Sequence, residues 1–123
     1  MRIFLLIVFG SLGTLARYGL QGLVQEHTGA GFPTGTLIVN LSGCFVMGGI
    51  TQYALAHISF PPDWRVGLTV GFLGAFTTFS TFCLETSRLM EDGEWTRTAL
   101  YLLTSVVGDI LAVVLGMGVG ERI

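Results

Sequence analysis

The sequence predicts an all-α integral membrane protein of four transmembrane helices, the third broken near mid-membrane. Three observations carry this. Of the 123 residues, 51% are hydrophobic and only 11% charged, and the mean hydropathy is +0.73; these values lie outside the soluble range. Four apolar stretches, about 3–24, 34–56, 66–89 and 98–120, each approach the ~20 residues that cover a bilayer's hydrocarbon core. The third stretch contains Gly71-Phe72-Leu73-Gly74-Ala75-Phe76-Thr77-Thr78-Phe79-Ser80-Thr81-Phe82. A lipid-facing helix has no use for Thr77, Thr78, Ser80 and Thr81 together. Small residues followed by hydroxyls that can bond freed backbone groups are what an interrupted membrane helix needs, and such breaks persist only where they are buried or line a polar pathway. The segment therefore points to an ion site.

The first span begins at Ile3. Arg2 and the apolar run behind it imitate a secretory signal peptide, but the run continues past Arg17 and three further spans follow. Gly10 and Gly13 fall three apart and can share a packing face. Glu26–Phe32 reads as a short polar loop, and Pro33 suits the first turn of the second helix. The second span carries Asn40 among Gly35, Ser42, Gly43, Gly48 and Gly49, with His57 at the water boundary. In Pro61-Pro62-Asp63-Trp64-Arg65, Asp63 reads as an N-cap, and Trp64 with Arg65 as headgroup-level residues. The third span stays uncharged until Glu85 and Arg88. An acidic turn, Glu91-Asp92-Gly93-Glu94-Trp95, leads to the fourth span, where Ala112, Gly116 and Gly120 form a small-residue packing stripe. The loops hold no separate domain, so residues 1–123 form one four-helix membrane unit.

Composition excludes several functions. All six basic residues are Arg and the net charge is −2, so no basic patch exists for nucleic acid. Cys44 and Cys83 match no metal-ligand spacing and read as small buried thiols rather than a disulfide. There is no nucleophile–base pair, phosphate loop or His/Cys cluster, which argues against an enzyme.

Positive-inside counting does not orient the chain. One side carries Arg2, Arg65 and Arg122, the other Arg17, Arg88 and Arg97. Either another signal sets topology, or the chain inserts both ways and pairs as an antiparallel dimer. The second reading is favoured, because four helices enclose little room for a pathway.

Arg17 either snorkels to the interface or lines a vestibule that concentrates an anion. Asn40 either bonds a neighbouring helix or offers its amide to a desolvated anion. Phe79 and Phe82 share a helix face; they are core residues or ring edges presented to an anion. Thr78, Thr81 and Glu85 make one polar stripe, and Tyr101 with Ser105 make another. Asp109, near the middle of span four, either pairs with an arginine of another subunit, accepts bonds from helix-end groups or couples protons.

Together these segments resemble the Fluc (CrcB-type) fluoride channel family. The matching pieces are Gly10-x-x-Gly13-x-x-x-Arg17-Tyr18, Gly35-Thr36-Leu37-x-Val39-Asn40-x-x-Gly43-x-Phe45, and Gly71-x-x-Gly74-x-x-Thr77-Thr78-Phe79-Ser80-Thr81-Phe82. They cover three of the four spans in order, and the third is the most specific. The resemblance implies a dual-topology, antiparallel homodimer with two pores, surrounded by lipid in the bacterial inner (plasma) membrane, that passively exports fluoride. It further implies a structural sodium ion held by backbone carbonyls at the break, by motif position those of Gly74 and Thr77. Phe79 and Phe82 take the places of the pore phenylalanines and Asn40 that of the pore asparagine. Ser80, Thr81 and Glu85 match the polar track, Arg17 the vestibule arginine, and Tyr101 and Ser105 the fourth-helix pore residues. Asp109 matches no motif and receives no role.

Two other readings exist. A small proton-coupled multidrug exporter would want a buried acid in span one, where none exists. A structural subunit of a larger membrane complex would be inert in liposomes.

Overall fold

The chain, described over residues 1–123 by a computed structural model, is entirely helical. Helices α1 (Arg2–Thr28) and α2 (Thr34–Ala56) are continuous. A short α3 (Pro62–Val66) runs directly into a π-helical segment (Gly67–Leu73) and the turn α4 (Gly74–Phe76). After a break at 77–79 come α5 (Ser80–Glu91) and then α6 (Trp95–Arg122). Four stretches are long and apolar enough to cross a membrane: Arg2–Thr28, Thr34–Ala56, Pro62–Glu91 and Trp95–Arg122. The break falls at the middle of the third.

The expected loop at Glu26–Phe32 is shorter than the sequence indicates, because α1 continues to Thr28. The Thr28 hydroxyl donates back to the Val24 carbonyl (3.0 Å) and His27 Nδ1 lies 2.9 Å from that of Leu23, so polar residues extend the helix beyond its apolar run. Gly29 ends it at φ +86°, a conformation open to glycine. Gln25 then ties the link down. Its amide donates to the carbonyls of Gly29 and Phe32, and its oxygen accepts the Gly35 N–H at 3.1 Å.

Asp63 is not the N-cap of span three. Pro61 occupies that place with no side-chain cap, and Asp63 sits in the first turn, where its carboxylate accepts from Arg2 Nε at 2.9 Å. The arginine at the start of α1 outcompetes the local backbone for it. Both cysteines are free thiols, but only Cys44 is half-buried; Cys83 is exposed. It lies on the outer face of α5, where an apolar thiol can meet lipid at no cost.

Glycines set the packing distances. A Cβ on Gly116 would collide with the Phe45 carbonyl, one on Gly120 with that of Gly49, and one on Gly48 with that of Val113. Helices α2 and α6 therefore touch backbone to backbone, held by close van der Waals contact. Gly13 of α1 lies against the Phe72 backbone in the same way, and Gly67 packs on Leu5 and Phe9. The tightest apolar core, Val39, Leu73 and Phe76 with Ala16, Leu20 and Met47 around it, sits beside the break. It anchors the first half of span three where the chain turns away.

Candidate functional site

The break begins at Thr77, whose backbone is extended (φ −85°, ψ 156°). No proline causes it. Hydroxyls do, by offering the backbone alternative partners. The Thr77 hydroxyl donates to the Leu73 carbonyl at 2.9 Å, and the Thr78 hydroxyl accepts the Thr81 N–H at 3.3 Å, capping α5.

Asn40 completes the break from α2. Its Nδ2 donates to the Thr78 carbonyl (3.0 Å) and its Oδ1 accepts the Thr78 N–H (2.9 Å). One buried side-chain amide thus satisfies both backbone polar groups of Thr78, the middle residue of the break. Arg17 supplies the remaining support from α1, donating from Nε to the Ala75 carbonyl at 3.1 Å. A cation there also suits the negative end of the first half-helix.

This rewiring leaves specific oxygens free. In an unbroken helix the Thr78 N–H would bond the Gly74 carbonyl and the Thr81 N–H the Thr77 carbonyl. Those two donors are diverted to Asn40 and to the Thr78 hydroxyl, and no other backbone donor replaces them. Gly74 is exposed on the chain's surface and a side chain there would meet nothing closer than 3.7 Å. Two neutral, hard carbonyl oxygens with no internal partner fit an alkali cation.

Two further clefts flank Asn40. One, of about 200 Å³, is lined by Asn40, Phe79, Phe82, Ser105, Asp109 and apolar neighbours. The other, of about 180 Å³, is lined by Asn40, Cys44, Thr77, Thr78, Phe79 and Asp109. The Ser105 hydroxyl and one carboxylate oxygen of Asp109 are buried here without a partner. The rings of Phe79 and Phe82 stand 5.7 Å apart, and Phe82 lies 5.0 Å from the fully buried Tyr101. Tyr101 donates its hydroxyl to Glu85 at 2.9 Å. Glu85 lines a third cleft, of about 320 Å³, with Gln21, Gln25, Phe32, Arg88 and Asp92. Along span three the order Phe79, Phe82, Glu85 therefore runs from the mid-membrane clefts, past the Phe82–Tyr101 contact, to this outer cleft.

Arg17 faces a separate open groove of about 520 Å³ with Thr14, Tyr18, Gln21, Gly22 and Gln25. Of the residues named from sequence, Asn40, Phe79, Phe82 and Ser105 meet in one cleft, and Glu85 meets Tyr101. Thr81 is half-buried and takes a hydrogen bond from Thr78 (3.1 Å), whereas Ser80 and Phe79 are exposed on the single chain. Sequence reasoning placed Thr78 on a polar stripe with Thr81 and Glu85 but gave it no role of its own, although it is the pivot that Asn40 holds. It also missed Cys44, Gln21 and Gln25. The signal for the glutamines was present, since Arg17, Gln21 and Gln25 recur every four residues on one helix face.

Comparison with known proteins bears on the chain as a whole. Residues 4–117 match the family model described as CrcB-like protein, Camphor Resistance (CrcB). A protein of Geobacter metallireducens named fluoride-specific ion channel FluC is 49% identical over 110 residues, 89% of each chain. Proteins of the same name from Nitratidesulfovibrio vulgaris and Geobacter sulfurreducens are 47% identical over 122 residues (99% of this chain, 98% of the relative) and 50% identical over 99 residues (80% of each).

Proposed function

This chain belongs to the CrcB-like protein family, and on that premise we propose that it is a fluoride-selective channel of the bacterial plasma membrane, passively releasing fluoride from the cytoplasm. The observation that carries this reading is the seam of Asn40, Phe79, Phe82 and Ser105 in one mid-membrane cleft. An anion leaving water needs donors in place of its hydration shell. Asn40 Nδ2 carries two hydrogens, of which Thr78 takes one. The Ser105 hydroxyl has no partner. The ring edges of Phe79 and Phe82 carry partial positive charge. Such neutral donors stabilise an anion without trapping it as a full positive charge would.

Tyr101 keeps its hydroxyl on Glu85, which holds that carboxylate to one side of the route. Arg17 raises the local anion concentration at a vestibule while bracing the half-helix end at Ala75. Fluoride enters cells as neutral HF, dissociates in the less acidic interior and leaves through the pore down its electrochemical gradient, without enzymatic chemistry.

The working unit is an antiparallel homodimer with two pores. The balanced arginine count supports it, as does the exposure of Gly74, Phe79 and Ser80 in one chain, since polar backbone at membrane depth needs cover. The carbonyls of Gly74 and Thr77 would hold a sodium ion, with the second copy supplying an equivalent pair. That ion would contribute a fixed positive charge and tie the two breaks together. Inward-facing and outward-facing copies should occur in equal amounts. In a chain with Cys44→Ser and Cys83→Ser, a cysteine at Glu94 should react with an impermeant thiol reagent on about half the copies in intact cells, and on all after permeabilisation. Labelling from one side alone contradicts the dimer.

Fluoride and chloride electrodes, read in parallel on liposomes containing the purified protein, test the channel itself. Fluoride should be lost rapidly with negligible chloride, and Phe82→Ile should slow fluoride loss about tenfold, the equivalent of ~1.4 kcal/mol. Equal loss of both ions rules out a selective filter; loss of neither rules out the channel.

A further inference from the structure

The link between α1 and α2 is held more tightly than a connecting turn requires, and it delivers an aromatic ring to the pathway. Gln25 bonds the carbonyls of Gly29 and Phe32 and the Gly35 N–H. Arg97 of α6 donates from Nη1 to the Gly31 carbonyl at 3.1 Å. Helices α1 and α6 therefore grip the link from both sides. The ring of Phe32 is carried inward onto Tyr101, with centroids 5.5 Å apart and planes at 78°. Tyr101 stands six residues beyond Trp95, where α6 begins, a rise of roughly 9 Å. Phe32 thus reaches inside the water boundary that Trp95 marks. Together with the contacts Phe79–Phe82 (5.7 Å) and Phe82–Tyr101 (5.0 Å), the rings run unbroken from the mid-membrane cleft to the outer one.

The outer cleft is electrostatically lopsided. Glu85, Arg88 and Asp92 line one side, whereas the wall contributed by the link carries no charge. Two carboxylates against one guanidinium leave the α5 side net negative, so an anion is favoured on the side of the link. Phe32 is the one aromatic ring there. From this geometry we infer that Phe32 is the outermost anion-contacting ring of the pathway and sets how readily fluoride enters from the outer cleft. The inference rests on the channel reading above. A ring rim carries partial positive charge. It replaces part of the lost hydration where the cleft, of about 320 Å³, narrows to the Phe82–Tyr101 contact. Fluoride then sheds its water in stages, first against Phe32 and then against Phe82. A neutral rim also lets the anion go, as a fixed cation at this depth would not.

The test is fluoride efflux from liposomes, with leakage from protein-free liposomes subtracted. Phe32→Leu keeps an apolar side chain without a ring and should slow fluoride loss about fivefold. Phe32→pentafluorophenylalanine keeps the ring's shape but reverses the charge on its rim. It should slow fluoride loss at least as much as leucine does, and it serves alone should Phe32→Leu fail to fold. Wild-type flux in the pentafluoro variant overturns the inference whatever leucine does, because the ring then acts by its shape alone. That result leaves the channel standing. Absence of fluoride loss from the wild-type protein overturns the channel reading, and the inference falls with it.

Discussion

Asn40→Leu should reduce fluoride efflux to the level of protein-free liposomes and lower the thermal unfolding midpoint in detergent. Leucine keeps the branched outline of asparagine, with the same number of side-chain heavy atoms, so it is the apolar replacement that disturbs the packing around α2 least. What disappears is the paired bond to Thr78, at 3.0 and 2.9 Å. The Thr78 N–H and carbonyl would then be left unpaired within the membrane, each at a cost of roughly 1–3 kcal/mol. The break has an inexpensive way to avoid this cost. Thr78 can return its N–H to the Gly74 carbonyl and straighten the helix, which withdraws that carbonyl and swings Phe79 and Phe82 away from Ser105. Loss of conduction and loss of stability should therefore appear together. Wild-type efflux in Asn40→Leu would show that the bonds to Thr78 do not hold the pathway open.

The second large effect is expected at the contact of α2 with α6. Gly116→Leu should yield no monodisperse protein on size-exclusion chromatography. Even the first added carbon would overlap the Phe45 carbonyl and crowd the Gly49 nitrogen. Backbone cannot yield as a flexible side chain can, so the two helices must separate along their length. Overpacking of ordinary cores costs about 1–3 kcal/mol, and a leucine wedged between two backbones should exceed that. Gly118→Ala is the matched control. No atom lies within 4 Å of a Cβ there, and alanine favours a helix over glycine by roughly 0.5–1 kcal/mol. It should express as well as wild type. Equal behaviour of Gly116→Leu and Gly118→Ala would refute the close-packed seam.

The two predictions address different parts of one design. Glycine contacts place α2 and α6 so closely that Asn40 on one and Ser105 on the other line the same cleft. Asn40 then reaches across to fix the break in span three. Stability at Gly116 and conduction at Asn40 are therefore linked through the position of α2.

What was legible in the sequence was whatever depends on chain-local chemistry in lipid. Four apolar stretches of sufficient length must become helices, because no other local structure satisfies their backbone there. Gly71, Gly74 and the hydroxyls from Thr77 to Thr81 announced the break, since hydroxyls compete locally for helix hydrogen bonds. The stripe of Ala112, Gly116 and Gly120 announced a close helix contact, and Gly116 and Gly120 do meet α2. Ends of elements were less legible. Glu26 and His27 read as loop but lie in α1, because back-bonded polar side chains sustain a helix past its apolar run. Asp63 read as a cap but pairs with Arg2, a partner 61 residues away.

Only the tertiary structure decided what each polar residue does. Asn40 read equally well as a helix–helix bond or as a pore donor; its two bonds to Thr78 show the first, and the pore role stays a proposal that draws on its second amide hydrogen. Arg17 proved to brace Ala75, and Tyr101 to hold Glu85. Asp109 had no role in the sequence, because a carboxylate's effect depends on what faces it, and Asn40, Cys44 and Phe79 come to it from other helices. Local pattern specifies a helix and its weak point through bonds that span a few residues. The partners of a buried polar atom come from whichever helices pack against it, and no spacing along the chain encodes that arrangement.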